Sequence, residues 1–196
     1  MTRRAVLAIA AAVLLVGLFA WALTASLERV MRPSVSPAEE RAAPPDPAAA
    51  PVRHITATLF LGSADAQQLA PVQREVPFGE GAVEQGRQIV LAQLAAEATA
   101  AELRVVPSGS TLRGFYVSER GEAFVDLGPE IVTGHTGGSA AELLTVYAIV
   151  NAVTFNLPAV TTVQLLIDGR EVDTLAGHVD IRRPLRRNDA IVRTSQ

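Results

Sequence analysis

The chain has 196 residues, with 17 arginines, no lysine, 20 acidic residues and a net charge of −3. It has no cysteine, which excludes disulfides, thiolate zinc sites, thiol nucleophiles and lipoprotein acylation. The lack of lysine excludes Schiff-base chemistry and the phosphate-loop lysine.

Residues 1–4 carry Arg3 and Arg4 and read as a short cytoplasmic tail. Residues 5–27 follow as 23 positions without a charge. As a helix at about 1.5 Å per residue they reach roughly 35 Å, enough for a hydrocarbon core of about 30 Å. The expectation is a transmembrane anchor, with Trp21 near its outer end where an indole suits the interface. The rival is a cleaved signal peptide, with Ala20, Trp21 and Ala22 as the small-x-small cleavage pattern. The apolar run is longer than an ordinary signal core, which favours the anchor. Arg29, Arg32 and Arg41 nearly balance the arginines before the span. The short tail and its amine then favour an N-inside, single-pass orientation, with the rest of the chain outside the cytoplasmic membrane.

Residues 28–53 read as a linker, because 33–51 holds six of the twelve prolines. Proline fixes φ and removes amide donors, so neither helix nor sheet is expected there.

Residues 54–185 read as one small domain, with 186–196 as an Arg-rich tail. From residue 54 on there are 11 arginines against 16 acidic residues. That balance argues against nucleic acid, which needs a positive footprint. Residues 55–61 are rich in β-branched and apolar types and read as a strand. A loop with Pro71, Pro77, Gly79 and Gly81 is expected next. A helix over 82–101 follows, with Val83, Val90, Leu94 and Ala98 near its core face and Glu84, Gln85 and Gln88 mostly elsewhere. Residues 111–117 and 122–127 read as two strands joined by a hairpin connection at 118–121.

Residues 134–142 carry a glycine-rich turn into a second helix. Ser139 and Glu142 stand at capping-box spacing, in which each side chain satisfies the other's backbone amide. The helix runs to about Phe155 and is stopped by Pro158. Leu143, Val146, Val150, Val153 and Leu157 make one apolar stripe. A strand over 160–167, the turn signal Asp168 and Gly169, and a returning strand over 170–175 complete the pattern. The expected fold is α+β, in the order β-α-β-β-α-β-β. One mixed sheet carries both helices, because each helix has one stripe to bury.

Residues 106–128, 134–154 and 163–185 resemble the GerMN domain family, over about residues 54–185. The resemblance implies a non-enzymatic domain of the bacterial envelope, similar to ring-building domains of secretion and sporulation assemblies. It implies neither catalytic residues nor cofactors. Members are often lipoproteins or are anchored by one helix; without cysteine, the apolar helix would replace the lipid. The partners expected are the membrane through residues 5–27 and envelope proteins or a second copy of the chain; the alternative is a cell-wall or small-ligand binding module that uses a groove beside residues 134–139, with peptidoglycan as its partner.

Five constellations bear on chemistry or binding. The turn with Gly134, His135, Gly137 and Gly138 could cradle an anion at a helix start, or its glycines could simply permit a tight entry. His135, His178 and Asp180 could ligate a metal, although structural hydrogen bonding explains them as well. Ser108 with a histidine and Asp126 or Asp173 lacks the nucleophile-elbow motif. Glu130 and Glu142 could form a carboxylate pair, although Glu142 already has a capping role. The arginines at 182–193 could meet anionic headgroups or an acidic partner, or form a solvated terminus.

Overall fold

The computed structural model describes residues 53–193. The expected anchor at 5–27 and nearly all of the linker lie outside these residues. Among the described residues no helix is long and apolar enough to cross a membrane.

In chain order the elements are β1 (His54–Ser63), β2 (Leu69–Pro77), α1 (Gly81–Ala95), β3 (Glu102–Leu103), β4 (Leu112–Val117), β5 (Glu122–Leu127), α2 (Glu130–Thr133), α3 (Ser139–Asn156) and β6 (Thr162–Ile167). A 3-10 turn at Asp189–Ile191 follows. They form two three-stranded sheets, β2-β1-β3 and β4-β5-β6. The α+β class is as expected, but the single sheet becomes two. β5 and β6 run parallel, and the chain between them supplies α3 as the crossover that parallel strands need.

The expected loop after the first strand contains a strand instead. β2 pairs antiparallel with β1 along nine residues, placing Pro71 opposite Phe60 and Pro77 opposite His54. Proline is tolerated because β2 is an edge strand and these positions need no ladder donor. Phe60 shows why: its N–H donates to Gln93 Oε1 at 2.9 Å and its carbonyl accepts from Gln93 Nε2 at 2.8 Å. Both polar groups therefore point away from β2. Two residues earlier, Asn156 does the same for Thr58, at 2.9 Å and 2.7 Å. Two side-chain amides, one from α1 and one just inside the end of α3, thus stand in for a neighbouring strand along β1. β3 takes over at Gly62 and Ser63.

α1 ends at Ala95, six residues short of the expected stop. Its terminal carbonyls are already taken. The amide of Ala96 donates to Gln93 O, and Arg104 Nη2 donates to Leu94 O at 2.6 Å. Its buried face is Gln85, Gly86, Ile89, Val90, Gln93 and Leu94, whereas Val83 is exposed. Gly86 is required there, since a Cβ would stand 2.2 Å from the Phe115 ring of β4.

α3 has no single stripe. It touches β1 of one sheet and β6 of the other, as well as α1, and is buried over most of its circumference, including Thr145, Asn151 and Thr154. An all-round apolar helix is a central helix.

The turn at Asp168 and Gly169 forms as expected, with φ of 53° and 75° and Ile167 and Arg170 exchanging both backbone bonds. The returning strand does not form, because the chain after Arg170 is diverted around the α3 residue Glu142. The end of the chain through Arg193 is tied to the domain. Leu185 bridges to Val163 and Val192 to Leu69, and Asn151 exchanges two 3.0 Å bonds with the Asn188 backbone.

Candidate functional site

The capping box is not formed. The N-cap of α3 is Gly138, at φ 91°, with no side-chain cap, and Ser139 is the first helical residue. Glu142 points inward and is fully buried. Its Oε1 accepts the amides of Leu175 and Ala176 at 2.8 and 2.9 Å. Its Oε2 accepts the amide of His178 at 2.8 Å and meets His178 Nδ1 at 3.1 Å. Burial raises the carboxyl pKa, but the amides of Ala176, His178, Val179 and Leu175 outweigh it and hold the group below its ordinary 4.5. Glu142 is therefore the anionic post around which residues 175–179 are wound. The local S-x-x-E spacing was outcompeted by these long-range donors.

The other sequence candidates separate. Asp180 binds Arg182 through both carboxylate oxygens, at 3.0 and 2.7 Å, and the Arg182 side chain and amide lower its pKa to about 2. Asp126 accepts the amide of Gly169 at 2.7 Å and faces Arg113 at 3.4 Å. Glu130 accepts from Thr111 at 3.1 Å, away from the engaged carboxylate of Glu142. The backbone carbonyl of Asp173 holds the Ile181 amide. Among the described residues, no group of three histidine, aspartate or glutamate side chains is arranged to hold a metal.

The glycine-rich turn has a different setting. A cleft of about 710 Å³ opens between residues 103–108 on one side and residues 134–141 with Leu144 on the other. It gathers Ser108, Gly134, His135, Gly137, Gly138 and Ser139. His135 ties its walls together. The Gly137 amide donates to Nδ1 at 2.9 Å, so Nδ1 is the acceptor and Nε2 carries the proton of a neutral ring. Nε2 then donates to Thr145 Oγ1 at 3.1 Å, and that hydroxyl donates to the Val105 carbonyl at 2.6 Å. Turn, helix and extended segment are thereby joined by one hydrogen-bonded chain. Neither ring nitrogen of His135 is left to act as a base on Ser108. Sequence reasoning found the turn but missed Leu103, Arg104, Val105 and Thr145, which carry no local motif.

Comparison with known proteins gives three findings. The profile of a family described as "Germane: Sporulation and spore germination" matches residues 58–173. Four solved chains match significantly. One, described as "Putative Lipoprotein from Clostridium perfringens", is 23% identical with a TM-score of 0.50, covering 69% of this chain and 89% of that one. Another, the tandem GerMN domains of the sporulation protein GerM from Bacillus subtilis, is 16% identical with a TM-score of 0.54. The match covers 68% of this chain and 46% of the tandem chain. No curated protein matches. The GerMN resemblance read from the residues is borne out, and these structural likenesses establish the fold.

Proposed function

Since the chain belongs to the Germane family of sporulation and spore germination, we propose that it is a non-enzymatic interaction module of the bacterial envelope. In this reading residues 5–27 anchor it in the cytoplasmic membrane, the proline-rich segment spaces it from the lipid, and the GerMN-like domain works on the extracytoplasmic side. The observation that supports a binding rather than a catalytic role is how the reactive groups are used. The Glu142 carboxylate is spent on the backbone at 175–178, both nitrogens of His135 on the cleft walls, and Asp180 on Arg182.

Two measurements on the full-length chain test this. Protease added to intact spheroplasts should degrade the domain while leaving a membrane-embedded fragment. Light scattering of the purified chain should give an assembly, either with itself or with a co-purifying envelope protein. A chain recovered as a freely diffusing cytosolic species would refute the reading, as would turnover of a small molecule by the purified protein.

The cleft supports a second reading, a cell-wall or small-ligand binding module. A monomer that sediments with purified peptidoglycan would favour it over assembly.

A further inference from the structure

We propose that the cleft takes a short, extended, apolar peptide that bears a free carboxylate, bound alongside residues 103–106. The proposal rests on the interaction-module reading and names the chemistry of a partner.

Shape comes first. A space of about 710 Å³ falls within the range of about 300–1,000 Å³ typical of ligand sites, room for a few residues of peptide. Its walls are largely apolar, with Leu103, Val105, Val106, Ala141 and Leu144 among them. Leu103 is 40% exposed although it lies in a strand. Residues beyond β3 continue past the end of its pairing with β1, which stops at Leu103. The amide of Arg104 has no hydrogen-bond partner among the described residues, and strand alternation from Leu103, which pairs with Gly62, turns it away from β1. An added strand satisfies such a donor, while pockets beside it select the side chains.

Charge gives the second half. Arg104 lines the cleft and no acidic residue does. Its guanidinium is held by the carbonyls of Val106, at 2.9 Å, and Leu94, at 2.6 Å. These acceptors fix its position at the negative end of α1, and no carboxylate neutralises it. Among the described residues Arg104 makes no ion pair, a state it shares with Arg87, Arg120 and Arg170, but of these it alone lines the cleft. A positioned cation without a carboxylate partner, beside apolar walls, complements a carboxylate on an apolar chain.

The test uses the full-length chain in lipid nanodiscs and fluorescence anisotropy. The probe is alanyl-leucyl-valine labelled at its amino end, offered as the free acid and as the carboxamide. The free acid should bind at least about tenfold more tightly than the amide. Arg104→Gln should abolish that preference. Ala140→Glu should weaken the acid at least about tenfold without lowering the thermal midpoint. Ala140 is exposed and lines the cleft, and an acid in the first turn of a helix is favourable to the helix. Equal binding of acid and amide, no binding of either, or preferential binding of acetyl-D-alanyl-D-alanine over the L-peptide would each overturn the proposal. If Ala140→Glu abolishes peptide binding yet native assemblies persist unchanged, the cleft is not their docking surface: the proposal falls and the module reading stands.

Discussion

The replacement Glu142→Gln separates a buried anionic post from a helix cap. In the native chain the carboxylate receives three backbone amides at 2.8–2.9 Å and the His178 ring, in a site with no solvent exposure. The amide side chain has a single acceptor oxygen. Turned toward Leu175 and Ala176 it keeps two bonds, but as neutral pairs, which are roughly half as strong as charge-assisted ones. Its NH₂ group then faces the His178 amide, donor against donor. Losing one bond to a charged acceptor costs about 1.5–3 kcal/mol, and each weakened bond adds about 0.5–1 kcal/mol. The sum is on the order of 3–5 kcal/mol, a large fraction of the roughly 5–15 kcal/mol that stabilises a domain. The thermal midpoint should fall by about 10–20 °C, and urea titration should give the free energy directly. Hydrogen exchange should accelerate first at Leu175, Ala176 and His178. A cost near 1 kcal/mol, the usual loss of an N-cap contact, with unchanged exchange at those amides, would refute the assignment.

Three further outcomes follow from the same structure. Because folding lowers the Glu142 pKa, its contribution to stability is complete above the ordinary value of 4.5 and is lost as pH falls through the lower folded value; thermal midpoints measured from pH 6 downward should show a loss below pH 4.5 that is missing in Glu142→Gln. Gln93→Leu strips both backbone partners from buried Phe60 and should cost about 2–4 kcal/mol in urea titration, more than Asn156→Leu, whose bonds to Thr58 are only partly buried. Truncation after Leu185 removes the Asn188 backbone from buried Asn151 and the Val192 bridge from Leu69; the expected loss is about 2–3 kcal/mol, and an unchanged midpoint would make the segment a dispensable tail.

Where local pattern and tertiary environment agree, the elements can be read from sequence. β4, β5 and β6 are short runs of apolar and β-branched residues and need only a sheet neighbour. The turn at Asp168 and Gly169 is fixed by positive φ at two adjacent residues, which that pair of residue types supplies. β2 was hidden because proline speaks against strands unless the position is an edge without a ladder donor. That condition lies in the β1–β2 register, which turns the polar groups of Phe60 away from Pro71 and toward Gln93 of α1, a contact with no local signal. α3 was read as one stripe because periodicity cannot distinguish one buried face from two when alanines and threonines fill the remainder.

Glu142 is the instructive case. It is the only charged residue between Ile131 and Ile167, so burial against long-range donors had a signal: a lone acid in a run otherwise without charge. The capping motif offered a local partner, and a local partner is easier to see than the amides of a loop more than thirty residues away. The cleft was half legible. Its glycine-rich rim stands out in sequence, but its opposite wall at Leu103, Arg104 and Val105 exists only because β3 and α3 bring that segment across.

The most direct test of an envelope interaction module is site-specific photo-crosslinking in living cells, with the photoreactive residue at Ala140 on the cleft rim and, as a control, at exposed Glu171. The account predicts a discrete adduct with an envelope protein or a second copy of the chain from Ala140, and none from Glu171. Adducts from Ala140 only with cytosolic proteins, or no adduct in cells where the chain is abundant, would contradict it.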